Sequence, residues 1–166
     1  HNMAIGSPQW MYSSGADGYE LEQSLRFNDD DAYLSWTPSS SSNRKLWTWS
    51  GWIKLCGATT GTKSVFQAGA DPMINYEGGT GQLRFSATSE ETNLVSNAVY
   101  RDPSAWYHVM MVWDTAQSTA ANRLKAYVNG SQITFTGTAY PSLNRNSNVN
   151  LSSEVHYLGI NSDENG

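Results

Sequence analysis

Residues 46–55, Leu-Trp-Thr-Trp-Ser-Gly-Trp-Ile-Lys-Leu, place three tryptophans within ten positions. Successive side chains of a strand point to opposite faces, so Trp47, Trp49, Ile53 and Leu55 share one face and Thr48, Ser50, Trp52 and Lys54 the other. An indole on each face predicts a central strand that needs cover above and below. The alternative is that Trp52 lies on an open face and stacks on a ligand. Residues 107–113 run through Val109, Met110, Met111, Val112 and Trp113 without a polar break. They predict a second strand buried on both faces, lying near the first.

Two such strands require a core, and 166 residues suffice for one domain with a substantial interior but are too few for two. Charged residues make up 15% of the chain and aromatic ones 12%, with a formal charge of −5. The ten Lys and Arg are scattered, without the basic stripe that a nucleic-acid partner demands. No apolar run approaches the roughly 18 residues of a membrane-spanning helix, and no charged-then-apolar leader opens the chain, so no membrane span is expected. Cys56 is the single cysteine; it has no partner for a disulfide or a Cys-x-x-Cys metal site and is expected to pack. Many Ser, Thr, Asn and Gly between short apolar runs suit an extracellular or virion-surface location.

Residues 1–18, with Gly6, Pro8, Gly15 and Gly18 and little periodicity, read as an N-terminal arm ahead of a domain at 19–166. His1 and Asn2 look like a tag remnant before Met3. Trp10, Met11 and Tyr12 would pin the arm to the body or to a neighbouring subunit. Leu25 and Phe27, the acidic turn at 28–31, and Tyr33, Leu34 and Trp36 together predict a hairpin. Further short strands are expected at 63–68, 73–76, 82–86, 93–99, 124–128, 132–135 and 155–160, with a helical leaning only at 116–122 and a polar loop at 140–153. Asn129-Gly130 between two alternating runs is a strong hairpin signal. No period of roughly 20 to 50 residues recurs, which excludes a propeller or solenoid. The pattern is that of an all-β antiparallel protein.

Ser24-Leu-Arg-Phe-Asn, Tyr33-Leu-Ser, Thr48-Trp-Ser-Gly-Trp-Ile-Lys, Phe66-Gln-Ala-Gly, Arg101-Asp-Pro-Ser-Ala-Trp-Tyr-His-Val and Tyr127-Val-Asn-Gly occur in this order. Over residues 19–160 the chain thereby resembles the laminin-G-like, concanavalin A-like jelly rolls. With Asn43-Arg-Lys before the tryptophan strand, it is similar to modules of bacteriophage virion and tail-fibre proteins. The resemblance implies a two-sheet antiparallel β-sandwich. Because that fold hosts lectins, glycosidases and plain assembly modules, function has to be read from the site.

The glucanases of that superfamily set three carboxylates at alternate positions on one strand to divide nucleophile and acid roles. Here Glu90 and Glu91 are adjacent, and no Glu-x-Asp-x-x-Glu pattern, nucleophile elbow or His-Glu-x-x-His motif occurs. His108 and His156 fall within strands and are expected to be hydrogen-bonded core residues. The chain is therefore expected to be no enzyme. Sugars stack their C–H faces on exposed rings, and the candidate platforms are Trp36, Trp52, Tyr76, Tyr100 and Tyr140. The resemblance also raises calcium, with Asp114 placed where a loop ligand would sit; the same residue suits a cap for the following turn. Asp29, Asp30 and Asp31 are weaker candidates for the ion, and a solvated turn is the simpler role for them.

The expected function is a non-catalytic module that binds carbohydrate or a host surface on a phage virion or tail fibre. The alternative is a structural virion module without a sugar ligand, joined to other subunits through the arm or an open sheet edge. In the fold the chain resembles, the strand at 155–160 is followed by a turn and one more apolar strand. Residues 161–166 carry none, so the domain is expected to lack its final strand, with Leu25 and Phe27 left on an open edge. A chain continuing past Gly166, a strand from a neighbouring subunit, or the arm at 3–18 would cover that edge.

Overall fold

The computed structural model describes residues 23–27, 32–55, 60–87 and 92–159. Eleven strands follow one another: β1 (Leu34–Trp36), β2 (Leu46–Lys54), β3 (Thr62–Ala68), β4 (Asp71–Glu77), β5 (Gln82–Ala87), β6 (Thr92–Ser96), β7 (Trp106–Asp114), β8 (Leu124–Val128), β9 (Ser131–Gln132), β10 (Phe135–Ala139) and β11 (His156–Leu158). They form two antiparallel sheets, one of seven strands in the order β1-β11-β3-β4-β5-β6-β10 and one of four in the order β2-β7-β8-β9. A single 3₁₀ turn at Ala120–Asn122 stands where the helical leaning was expected. Among the described residues no helix is long and apolar enough to cross a membrane. The architecture is the concanavalin A-like β-sandwich that the motifs implied.

The core lies between the sheets. Trp47 and Trp113, direct partners across β2 and β7, stack at 5.7 Å and 11°. Phe66 of β3 meets Trp47 edge-on at 6.5 Å and stacks on Trp49 at 5.8 Å, joining the two sheets. Leu83, Phe85 and Leu94 of the larger sheet, and Val109, Met111, Leu124 and Ala126 of the smaller, are among the other residues of this core. On β2, β7 and β8 burial alternates, so each strand gives one face to the core.

That alternation corrects two expectations. Among the described residues β2 is not central but an outer strand of its sheet, with β7 as its strand neighbour. Likewise β7 buries Val109, Met111 and Trp113, while Met110 and Val112 on its other face are only half-buried. The unbroken apolar run misled because side-chain polarity alone does not say whether a second layer lies above an outer face.

The expected hairpin at 24–36 is also revised. Residues 23–27 carry no strand, 28–31 lie outside the described residues, and β1 pairs with β11 instead, Trp36 opposite His156 and Leu34 opposite Leu158. The arm at 1–18, Cys56 and residues 160–166 also lie outside, so the expectations placed on them find no description here.

Asn129 (φ 51°) and Gly130 (φ 79°) make the left-handed pair that a tight hairpin requires. The hairpin itself is brief. After two residues of β9 the chain leaves the smaller sheet and joins the larger one as β10, beside β6. Phe135 drives this crossing by packing edge-on against Phe85 at 5.7 Å. The expected strand at 132–135 is thus divided, Gln132 falling in β9 and Phe135 opening β10.

The loop at 140–155 is irregular yet anchored. Trp47 donates its indole N–H to Ser147 Oγ at 2.8 Å, Arg44 Nε donates to the Ser147 carbonyl at 2.6 Å, and Asn150 Nδ2 donates to the Asn43 carbonyl at 2.8 Å. These bonds fasten the loop to the polar stretch that leads into β2 and satisfy groups that packing would otherwise strand.

His156, buried and tilted at 32° against Trp36 at 5.1 Å, accepts the Asn150 N–H at Nε2 and bonds the Glu154 carbonyl through Nδ1. Both contacts suit the neutral ring. Burial lowers the imidazole pKa below its ordinary value, opposed by the Glu154 carbonyl and then the Glu154 charge. A depressed imidazole pKa means that the unfolded chain takes up the proton first as pH falls. Stability contributed by the neutral ring is therefore complete above about pH 6.5 and declines below it. Denaturant midpoints should fall on moving from neutral pH into the acid range. His156→Gln should remove most of that slope; an unchanged slope would show that other groups carry it.

Candidate functional site

The outer face of the four-stranded sheet is built from the residues that β2, β7 and β8 turn away from the core. Register places Lys54 beside Trp106, Trp52 beside His108, Ser50 beside Met110 and Tyr127, and Thr48 beside Val112 and Lys125. Gln132 of β9 extends the Tyr127 row. Trp52 is 54% exposed and Trp106 45%, and as diagonal neighbours they sit roughly 7–8 Å apart at the backbone. Trp52 leans on the His108 ring at 5.2 Å and 46°, which supports the indole from one side and leaves the rest open.

The hairpin holds this end of the face rigid. Asn129 Oδ1 accepts the His108 N–H at 2.9 Å, and the Asn129 N–H returns to the His108 carbonyl at 2.8 Å. Lys54 shares the row of Trp106, the Ser50 and Tyr127 hydroxyls and the Gln132 amide stand in the row next to Trp52, and Thr48 and Lys125 lie one row farther along the same face. Flat rings with hydrogen-bonding groups at their margins can grip a molecule that has an apolar face and a polar rim.

Of the five expected platforms, the structure places only Trp52 here. Trp36 is 43% exposed but sits at the rim of the other sheet with one ring face already stacked on Phe66 at 6.2 Å. Tyr76 and Tyr100 are corrected outright. Both are buried, Tyr76 donates its O–H to the Tyr100 carbonyl at 3.0 Å, and burial pushes both phenol pKa values up. Neither ring can receive a ligand. Tyr140 is half-buried against the core. Trp106 and Tyr127 were overlooked, although an antiparallel pairing of the two tryptophan-rich runs would have set Trp106 beside Lys54.

Asp114 ends β7 with both carboxylate oxygens engaged, Oδ1 accepting the Ala116 N–H at 3.2 Å and Oδ2 the Gln117 side-chain amide at 2.6 Å. This is the turn-capping role. Asp29, Asp30 and Asp31 lie outside the described residues, among which no group of three His, Cys, Asp or Glu side chains gathers. Two further carboxylates among the described residues are engaged as well. Glu77 contacts Arg84 at 3.0 Å and accepts the Thr62 hydroxyl at 2.9 Å, while Asp102 accepts the Ser104 hydroxyl and N–H, which hold its carboxyl below the usual range. A shallow depression on the larger sheet, near Gln67 and Tyr157, has Glu154 as the one acid in its lining.

No curated protein matches the chain. A family model described as the concanavalin A-like lectin/glucanases superfamily matches residues 28–161. That span contains every strand of both sheets, and the chain belongs to the concanavalin A-like lectin/glucanases superfamily.

Proposed function

We propose that this domain is a carbohydrate-binding module that takes its ligand on the outer face of the four-stranded sheet and does not cleave it. The observation that carries the reading is the exposed Trp52 and Trp106 pair, with Lys54 beside it and the hydroxyls of Ser50 and Tyr127 in the next row of the same sheet face. Rings held by strand register lose little freedom on binding, which favours stacking on a sugar. The absence of cleavage is supported by the engagement of Glu77, Asp102 and Asp114 in ion contacts and turns, since glycoside hydrolysis asks two carboxyl groups to flank one bond. The motif resemblance extends the proposal to a phage virion or tail fibre displaying the module toward a host-surface glycan.

An array of host-surface glycans, probed with the domain in calcium and again in chelator, tests the reading. Saturable binding is expected, with no release of reducing ends from the bound polymer. Trp52→Ala should weaken binding on the order of tenfold or more, the usual effect of removing a central aromatic contact. Because Trp52 is exposed, its melting temperature should stay near that of the unaltered protein. Full binding by Trp52→Ala would move the site elsewhere. A calcium requirement would point to an ion site apart from the turn-bound Asp114.

A further inference from the structure

The larger sheet has a concavity of its own, on the side away from the core. Strand alternation turns Phe66, Ala68, His156 and Leu158 inward and sets Gln67 and Tyr157, direct partners across β3 and β11, on the opposite face. A depression of about 460 Å³ opens there, walled also by Gly69, Pro72, Ser153 and Glu154. Its shape comes from the turn after β3. The Gly69 N–H donates to the Val155 carbonyl at 2.8 Å, which ties this turn to the residue that leads into β11. Gly69 has a φ of 56°, and a Cβ on it would collide with the Glu154 carboxylate. Glycine thus permits both the left-handed turn and the close seat of the acid against it.

The chemistry of this lining is one-sided. Among the described residues no hydrogen bond or ion pair engages the Glu154 carboxylate, and no Lys or Arg lines the depression. Gln67, only 6% exposed, gives its Nε2 to the Gly69 carbonyl at 2.8 Å and so keeps Oε1 as an acceptor. The Tyr157 ring, braced edge-on by Tyr33 at 5.7 Å, adds a π face. A carboxylate, an amide oxygen and a ring face all attract a compact cation that carries N–H donors. We propose that the depression binds the primary ammonium group of a ligand, with Glu154 as its counter-ion, Gln67 Oε1 as a second acceptor and Tyr157 as the ring against which it rests. A metal ion is served less well by a single carboxylate, since hard cations want several oxygen ligands. The proposal goes beyond the carbohydrate reading and stands without it, because the two faces belong to different sheets. An amino sugar and a lysine side chain share the chemistry required.

Amide chemical shifts of the whole chain, followed at neutral pH during titration with glucosamine, with glucose and with Nα-acetyl-lysine amide, test the charge selection. At least one of the two amines should give saturable shifts at Gln67, Gly69, Glu154 and Tyr157, and glucose should give none there. A response to glucosamine alone supports the proposal with an amino sugar as the source; a response to the lysine derivative alone supports it with a protein side chain as the source. Glu154→Gln keeps the size of the side chain and removes its charge, and should weaken amine binding on the order of tenfold. Because Glu154 is half-buried and bears no ion pair, the melting temperature of this variant should stay near that of the unaltered protein. Equal shifts with glucose overturn the proposal, as do shifts that survive Glu154→Gln at full strength, or an absence of shifts at these amides with both amines. Trp52→Ala should leave the response intact, so that failure of this depression and failure of the glycan face on the smaller sheet are read separately.

Discussion

Trp113→Ala should lower the unfolding free energy by about 3–5 kcal/mol, the range for removing a large aromatic from a packed interior. For a domain of this length that corresponds to a melting temperature lower by roughly 10–15 °C. Trp113 is fully buried, stacks on Trp47, and lies at the centre of the smaller sheet's inner face. Its indole N–H finds no acceptor, whereas Trp47 gives its own to Ser147. Trp113→Phe therefore removes an unpaired donor along with part of the ring, and should be clearly milder than Trp113→Ala. Trp49→Ala should also be milder, because that ring is half-buried near the open edge of β2. Urea melts of the three variants check the order. A Trp49→Ala protein less stable than Trp113→Ala would mean that the flank of β2 is closed in solution.

Phe66→Ala should be comparably severe, again about 3–5 kcal/mol, but with a different signature. The ring stacks on Trp49 and Trp36, meets Trp47 edge-on, and lies 6.3 Å from His156. It supports β1 and β11 as well as the junction between sheets. Besides a lower melting temperature, amides of β11 should exchange faster relative to those of β4 and β5, whose packing centres on Phe85 and Leu83. Uniform loss of protection across both sheets would instead show that the rim strands and the centre unfold as one unit.

Much of the fold was legible because strands advertise themselves locally. Alternation, Asn129-Gly130 and the turn residues between short apolar runs identified most strands of both sheets, and the ordered motifs pointed to the sandwich. The stretch at 140–153 was recognised as a polar loop, but not that Ser147 within it would anchor Trp47 across a separation of 100 residues. Such a bond leaves no periodic trace. The binding candidates suffered from the same blindness. Tyr76 and Tyr100 stand beside glycine-rich and polar stretches, as exposed rings do, yet their mutual hydrogen bond lies inside the core.

By itself, then, the sequence determined which residues take extended conformation and which side chains share a face, since both depend on neighbours one or two positions away. It could also say that Trp52 stands on the face opposite Trp47 and Trp49. Only the tertiary structure decided that, among the described residues, this face has no layer above it and β2 has no strand beyond it, and that Trp106 stands near Trp52. Those outcomes depend on strand order and on which apolar surfaces find each other. An indole is equally favourable in a core or on an open platform until the rest of the chain has packed around it.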